Sequence, residues 1–296
     1  MDFDDDANLD LSQVEDARGG GGGGFGGGPM VIGGGALGLI VTVVLALLGY
    51  NTLGSDSSSS PAPSSSANLA QECATSNQQR FELVQCRQVA VFDDLRDYWA
   101  TDGTKALDAQ YQDPKLRFFT QSVNTACGNA TSAVGPFYCP GDQRIYIDLG
   151  FYDELAQRFG APGEFAQAYV LAHEFGHHIQ YLSGFESEIR KLQQQNPTKE
   201  NQYSIALELQ ADCYAGVWTA NATGGAQSLI EGVSQEDIKS AIGAAEAVGD
   251  DRIQEQAGGQ VNPETWTHGS AAQREQWFDV GRNSGDPQSC NTLKQA

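Results

Sequence analysis

The sequence predicts an α+β domain, a small sheet followed by mostly helices, preceded by one transmembrane helix. Three observations carry this prediction. Strand-like runs come first within residues 72–296, at Leu116 to Thr120 and at Arg144 to Leu149, the second alternating Ile145, Ile147 and Leu149. Helical patterns then dominate, at about 151–159, 164–183, 201–221, 235–248 and 270–281, and strands followed by helices are the order of an α+β domain. Finally, residues 30–50 carry no charge.

The elements divide the chain into four parts. Residues 1–29 are an acidic and glycine-rich tail: seven acids (Asp2, Asp4, Asp5, Asp6, Asp10, Glu15 and Asp16) precede a tract that is nearly all glycine from 19 to 28. Neither part of the tail offers much to bury, so it is expected not to pack. Residues 30–50, with Leu37, Ile40, Val43, Val44 and Leu47, would as a helix span about 30 Å, the thickness of a bilayer core. No basic region precedes the stretch and no A-x-A site closely follows it, so an uncleaved anchor is favoured over a signal peptide. Residues 51–71, with a serine run and Pro61 and Pro63, read as a polar linker, and residues 72–296 as the folded domain. Its first helical pattern carries Phe81, Val84, Val91, Leu95 and Trp99.

The formal charge of −21 repels phosphate backbones and argues against nucleic acid as a partner. All six cysteines follow the apolar stretch and none forms a C-x-x-C pair, which suits disulfides in an oxidising compartment better than a thiolate metal site. Cys127 and Cys139 flank a short glycine-containing stretch and are expected to pair; Cys213 is either a small core residue or bridged to Cys290. Arg18 is the one basic residue near either end of the apolar stretch. With the cysteine distribution, it points to a cytoplasmic N-terminus and an extracytoplasmic domain, a single-pass protein of the cell membrane.

The strongest chemical signal is His173-Glu174-Phe175-Gly176-His177. On a helix, residues four apart share a face, so both imidazoles can reach one metal ion while Glu174 stands beside them to work on a metal-bound water. Ala168, Ala172, Phe175 and Ile179 form an apolar stripe roughly opposite the histidines, and Gly176 leaves room for another backbone or a substrate. A catalytic zinc usually takes three protein ligands and keeps one position for water. Gln180 and Ser183 stand where the long three-histidine pattern needs glycine and histidine, so the third ligand is sought elsewhere. Glu208 fits that place, and Asp212, four residues on, can accept the other ring N–H of a ligand histidine. His178 points about 100° off the metal face and reads as a packing residue. His268 either donates to an oxyanion formed during peptide hydrolysis or is a structural residue before a helix that Ser270 or Thr267 caps.

Several blocks in one order resemble the bacterial neutral zinc metallopeptidase family. They are Ala126-Cys127-Gly128, Gly135 to Pro140, Ile145 to Leu149, His173 to Gln180, Glu208 to Trp218, and Thr267-His268-Gly269-Ser270 with Gln273-Arg274 and Trp277-Phe278. The segment Ser12 to Gly19 also looks like the family's leader. The resemblance implies a zincin-like fold holding one Zn2+, with Glu208 as third ligand; the substrate, a protein or peptide, is expected from the chemistry of the motif and not from the resemblance. The expected chemistry is hydrolysis of a peptide bond through a metal-activated water, with Glu174 as the base, and the strand near Ile145 to Leu149 is a candidate edge against which an extended substrate could pair. The alternative is a membrane-anchored metal-binding or assembly factor that does not cleave; the presence of Glu174 favours the enzyme.

Overall fold

The computed structural model describes residues 1–18, 66–223, 228–258 and 260–295. Residues 30–50, where the transmembrane helix is expected, lie outside the described residues. Among those described, no helix is long and apolar enough to cross a membrane.

The expected α+β class is observed. A four-stranded sheet has the order β2-β3-β7-β6, where β2 is Val14–Asp16, β3 Lys115–Phe119, β6 Phe137–Cys139 and β7 Arg144–Asp148. β2, β3 and β7 run parallel, while β6 pairs antiparallel with β7, Tyr138 facing Ile145. The alternation read in β7 has a physical origin: Ile145 and Ile147 enter the main core, while Tyr146 enters a second cluster with Val123, Val134 and Phe137. That cluster lies under the hairpin of β4 (Ser122–Thr125) and β5 (Gly128–Thr131), which Cys127–Cys139 ties to the end of β6. β7 is flanked on both sides. The expectation that an extended substrate could pair with it is therefore corrected: its hydrogen-bonding edges are taken, and β6 is the outer strand.

Residues 1–18, expected as part of a tail that does not pack, pair with the domain instead. β1 (Asp2–Phe3) pairs with β8 (Ile230–Gly232), and β2 forms one edge of the main sheet. At the other end of the undescribed stretch, α1 (Ser66–Glu72) buries Leu69, and Cys73–Cys86 ties its end to α2 (Val84–Tyr98).

Among the described residues, seven α-helices follow the four-stranded sheet: α3 (Phe151–Gln157), α4 (Glu164–Ser183), α5 (Phe185–Gln195), α6 (Glu200–Asn221), α7 (Gln235–Ala247), α8 (Asp250–Gln256) and α9 (Ala271–Ser284). Capping boxes start α7 (Ser234 with Asp237) and α9 (Ser270 with Gln273), so Ser270 caps as expected. α4 is buried on nearly every face, as a helix crossing the centre of a domain must be. Phe175 meets Phe92 of α2 edge to face, and Phe165 stacks on Trp218 of α6.

α6 and α9 approach closely enough that no side chain separates them at one point. A Cβ on Gly216 would overlap the Phe278 carbonyl, and one on Gly281 would overlap the Cys213 carbonyl. Cys213 is itself bridged to Cys290, the second of its two expected states. Gly281→Ala is therefore expected to destabilise the fold by about 1–3 kcal/mol through overpacking. Ordinary helix propensity alone would stabilise it by about 1 kcal/mol, so the sign of the shift in the urea midpoint is decisive. A raised midpoint would contradict the close crossing.

Candidate metal centre

α4 sets His173 and His177 one turn apart, their ring centroids 4.8 Å from each other. α6 crosses this turn at Gly176, where a Cβ would lie only 3.1 Å from the Ala211 backbone. That approach carries Glu208, one turn before Ala211, up to the two rings. Its Oε2 lies 3.3 Å from His173 Nε2 and its Oε1 3.6 Å from His177 Nε2. The three residues form a cluster whose donor atoms all lie within 4.8 Å of one another.

The far side of each ring is held. His173 Nδ1–H donates to Asp212 Oδ1 at 2.8 Å, and His177 Nδ1–H donates to Gln180 Oε1 at 2.8 Å. Gln180 is held in turn, its amide donating to the Leu207 carbonyl at 2.7 Å. Both Nε2 atoms are thereby presented as acceptors on the same side, the tautomer a metal ligand needs. Asp212 stands where a ring partner was expected, and it has more neighbours than the sequence suggested. Arg274 of α9 donates to both its oxygens, at 2.8 and 2.9 Å, and the Tyr169 hydroxyl donates to Oδ1. Burial alone would raise the Asp212 carboxyl, but Arg274 and His173 hold it below its ordinary value.

His177 Nε2, Glu208 Oε1 and Glu174 Oε2 are buried without a hydrogen-bond partner. Buried polar atoms are nearly always satisfied, so two orphans within the three-residue cluster and a third on the neighbouring Glu174 call for an ion or its water. Two imidazole nitrogens and a carboxylate match a catalytic zinc donor set. Burial would push Glu208 up, yet His177, His173 and His268 hold it well below the usual carboxylate range, so it is ionised as a ligand must be. For Glu174, burial wins over the neighbouring histidines and raises the carboxyl.

Burial opposes a charge on His173, but Asp212 and Glu208 outweigh it and push the ring up to about 9. A cation must displace that proton. Zinc affinity is therefore expected to rise with pH towards 9 and to level off above it, because protons compete only below the raised value. The same charge stabilises the metal-free fold fully below the ordinary 6.5, and that contribution fades as pH climbs through 9. Competition titrations with a chromophoric chelator from pH 6 to 9 measure this, and a flat affinity would contradict it.

His178 is a packing residue, as expected. It donates Nε2–H to the Gln112 carbonyl at 2.7 Å and accepts the Tyr138 hydroxyl at Nδ1, and burial lowers it to about 4. His268 is not remote. It lines the same pocket as His173, Glu174 and Glu208, whose other walls include Val134, Phe151, Phe159 and Val170. Asp250, at the start of α8, holds its loop: one oxygen accepts the N–H groups of Thr267, His268 and Gly269, and the other lies 3.2 Å from His268 Nδ1. Burial would lower His268, but Asp250 and Glu208 raise it. Gln180, Arg274, Tyr138, Tyr169 and Asp250 received no role from the sequence, although the first three fall inside the family blocks.

A family profile described as "Putative neutral zinc metallopeptidase" matches residues 6–293. The uncharacterized protein YpfJ of Escherichia coli (strain K12) is 47% identical over 199 residues, 67% of each chain. The uncharacterized protein Rv2575 of Mycobacterium tuberculosis (strain ATCC 25618 / H37Rv) is 46% identical over 220 residues, 72% of each. No solved structure matches. With its profile match spanning nearly all of its length, the chain belongs to this zinc metallopeptidase family.

Proposed function

We propose that the protein is a zinc-dependent endopeptidase in which His173, His177 and Glu208 hold one zinc ion and Glu174 and His268 act on the substrate. The observation that carries this is the three-ligand cluster, two of whose members, His173 and Glu208, line one pocket with Glu174, whose Oε2 has no partner. A zinc ion held there supplies Lewis acidity, lowering the pKa of water and polarising a carbonyl. Glu174, its carboxyl raised by burial, accepts a proton at Oε2 and passes it to the leaving amine nitrogen. His268, braced by Asp250, donates a hydrogen bond to the oxygen on which negative charge develops. An extended substrate lies along Val134 to Pro136, the turn that leads into β6 and lines the pocket, with apolar side chains received by Phe151, Phe159 and Val170.

Membrane attachment through residues 30–50 belongs to this proposal and rests on their uncharged sequence. A location outside the cytoplasm rests on the three disulfides. The test is metal analysis of the purified full chain, paired with cleavage profiling on a mixed peptide library. One zinc per chain is expected, with cleavage that a chelator abolishes and zinc restores. Bound zinc with no cleavage of any peptide would overturn the reading in favour of a non-proteolytic role.

A further inference from the structure

The segment that seemed least able to pack is bound at every few residues. Phe3 stacks on Phe81 with centroids 4.6 Å apart. Arg80, only 2% exposed, donates to the Asp4 and Asp5 carbonyls at 3.2 and 2.8 Å. Those carbonyls help satisfy a buried guanidinium that would otherwise be costly. Asp10 pairs with Arg96 at 3.0 Å. β2 then lies parallel on β3, and the Ala17 N–H continues the ladder to the Phe118 carbonyl at 2.9 Å.

Charge explains why this strand fits this edge. The chain has 17 basic residues against 38 acids, yet Lys115, Arg117 and Arg144 stand together on the sheet. Glu15 meets all three, at 3.1, 3.3 and 3.1 Å. No one of these half-exposed pairs is worth much, but one carboxylate shared by three cations fixes the register. Arg18 lies over the Phe118 ring and reaches to 4.0 Å from Glu72, so the end of this segment sits beside α1.

We infer that residues 1–18 are an integral strand of the catalytic unit and lie on the same face of any membrane as the domain. A single crossing by residues 30–50 would put tail and domain on opposite faces, and β2 could not then pair with β3 of its own chain. The topology with a cytoplasmic N-terminus and an extracytoplasmic domain, expected from Arg18 and the cysteines, is thus incompatible with this sheet. This inference does not depend on the proposed catalysis.

Two measurements on the full chain in native membranes test it. A zero-length carbodiimide couples carboxylates to amines already in contact, and a Glu15–Lys115 linked peptide is expected by mass spectrometry, lost in Glu15→Gln. Epitopes inserted in the glycine tract 19–28 and after Ala296 report the side of each part. Both are expected to be reached by antibody from the same side. Epitopes reached from opposite sides, or Lys115 recovered only unlinked, would overturn the inference whether or not the protein cleaves peptides.

Discussion

Glu174→Gln is expected to bind zinc as the parent does and to lose about 10²–10⁴-fold in kcat. The amide keeps the size of the side chain. It cannot accept a proton at the position of Oε2, which is the atom left without a partner in the pocket. Because Glu174 contributes no atom to the three-ligand cluster, the metal content should not change. KM should also move little, since the lost interaction belongs to the transition state rather than to substrate binding. Single-turnover hydrolysis of a fluorogenic peptide, with zinc measured on the same sample, reads all three quantities. A variant with undiminished kcat would remove Glu174 from the reaction, and the proposed enzyme with it.

The second large effect is expected at Asp212. In Asp212→Leu, Arg274 and the Nδ1 edge of His173 lose their buried acceptor together. Removing one member of a buried pair costs about 3–5 kcal/mol, more than the overpacking expected at Gly281. Zinc affinity should fall by roughly 10–100-fold, because the His173 ring is no longer oriented. These two losses have different origins and can be separated. In Asp212→Leu combined with Arg274→Met, the unpaired cation is gone and stability should recover in large part, while zinc affinity stays low. Urea unfolding and chelator competition on the single and double variants measure both. Recovery of metal affinity in the double variant would show that Asp212 acts through Arg274 rather than on His173.

The parts of the site that were legible in the sequence are those fixed by one helical repeat. His173, Glu174 and His177 follow from spacing within α4. Glu208 and Asp212 follow from the same spacing within α6, once the first motif directs attention there. Gln180 is three residues from His177 and could have been found by asking what holds its ring. Arg274 and Asp250 could not, because they reach the site by the packing of α9 and by a loop after α8, and no local period reports a contact across 62 residues. The fold shows the same division. α4 and β7 are long enough for their periodicities to show, and both were placed within a residue or two. β2 is three residues long and acidic, so nothing in its composition announces burial; it is a strand only because β3 offers an edge and three cations for Glu15. The same tertiary dependence hid the true outer strand, since whether β7 is an edge depends on where β6 lies.

The bare crossing of Gly216 and Gly281 has a mechanical consequence. Two helices touching main chain to main chain, and locked again by Cys213–Cys290, have no intervening side chains whose rotation would let them slide. The wall that bears Glu208, Asp212 and Arg274 therefore behaves as an anvil. Fitting to cargoes of unequal bulk falls to the facing jaw, made of the single turns at Val134 to Pro136 and Thr267 to Gly269. Selectivity in this molecule should accordingly be retuned by changes in those turns, while changes behind the anvil switch the whole centre on or off.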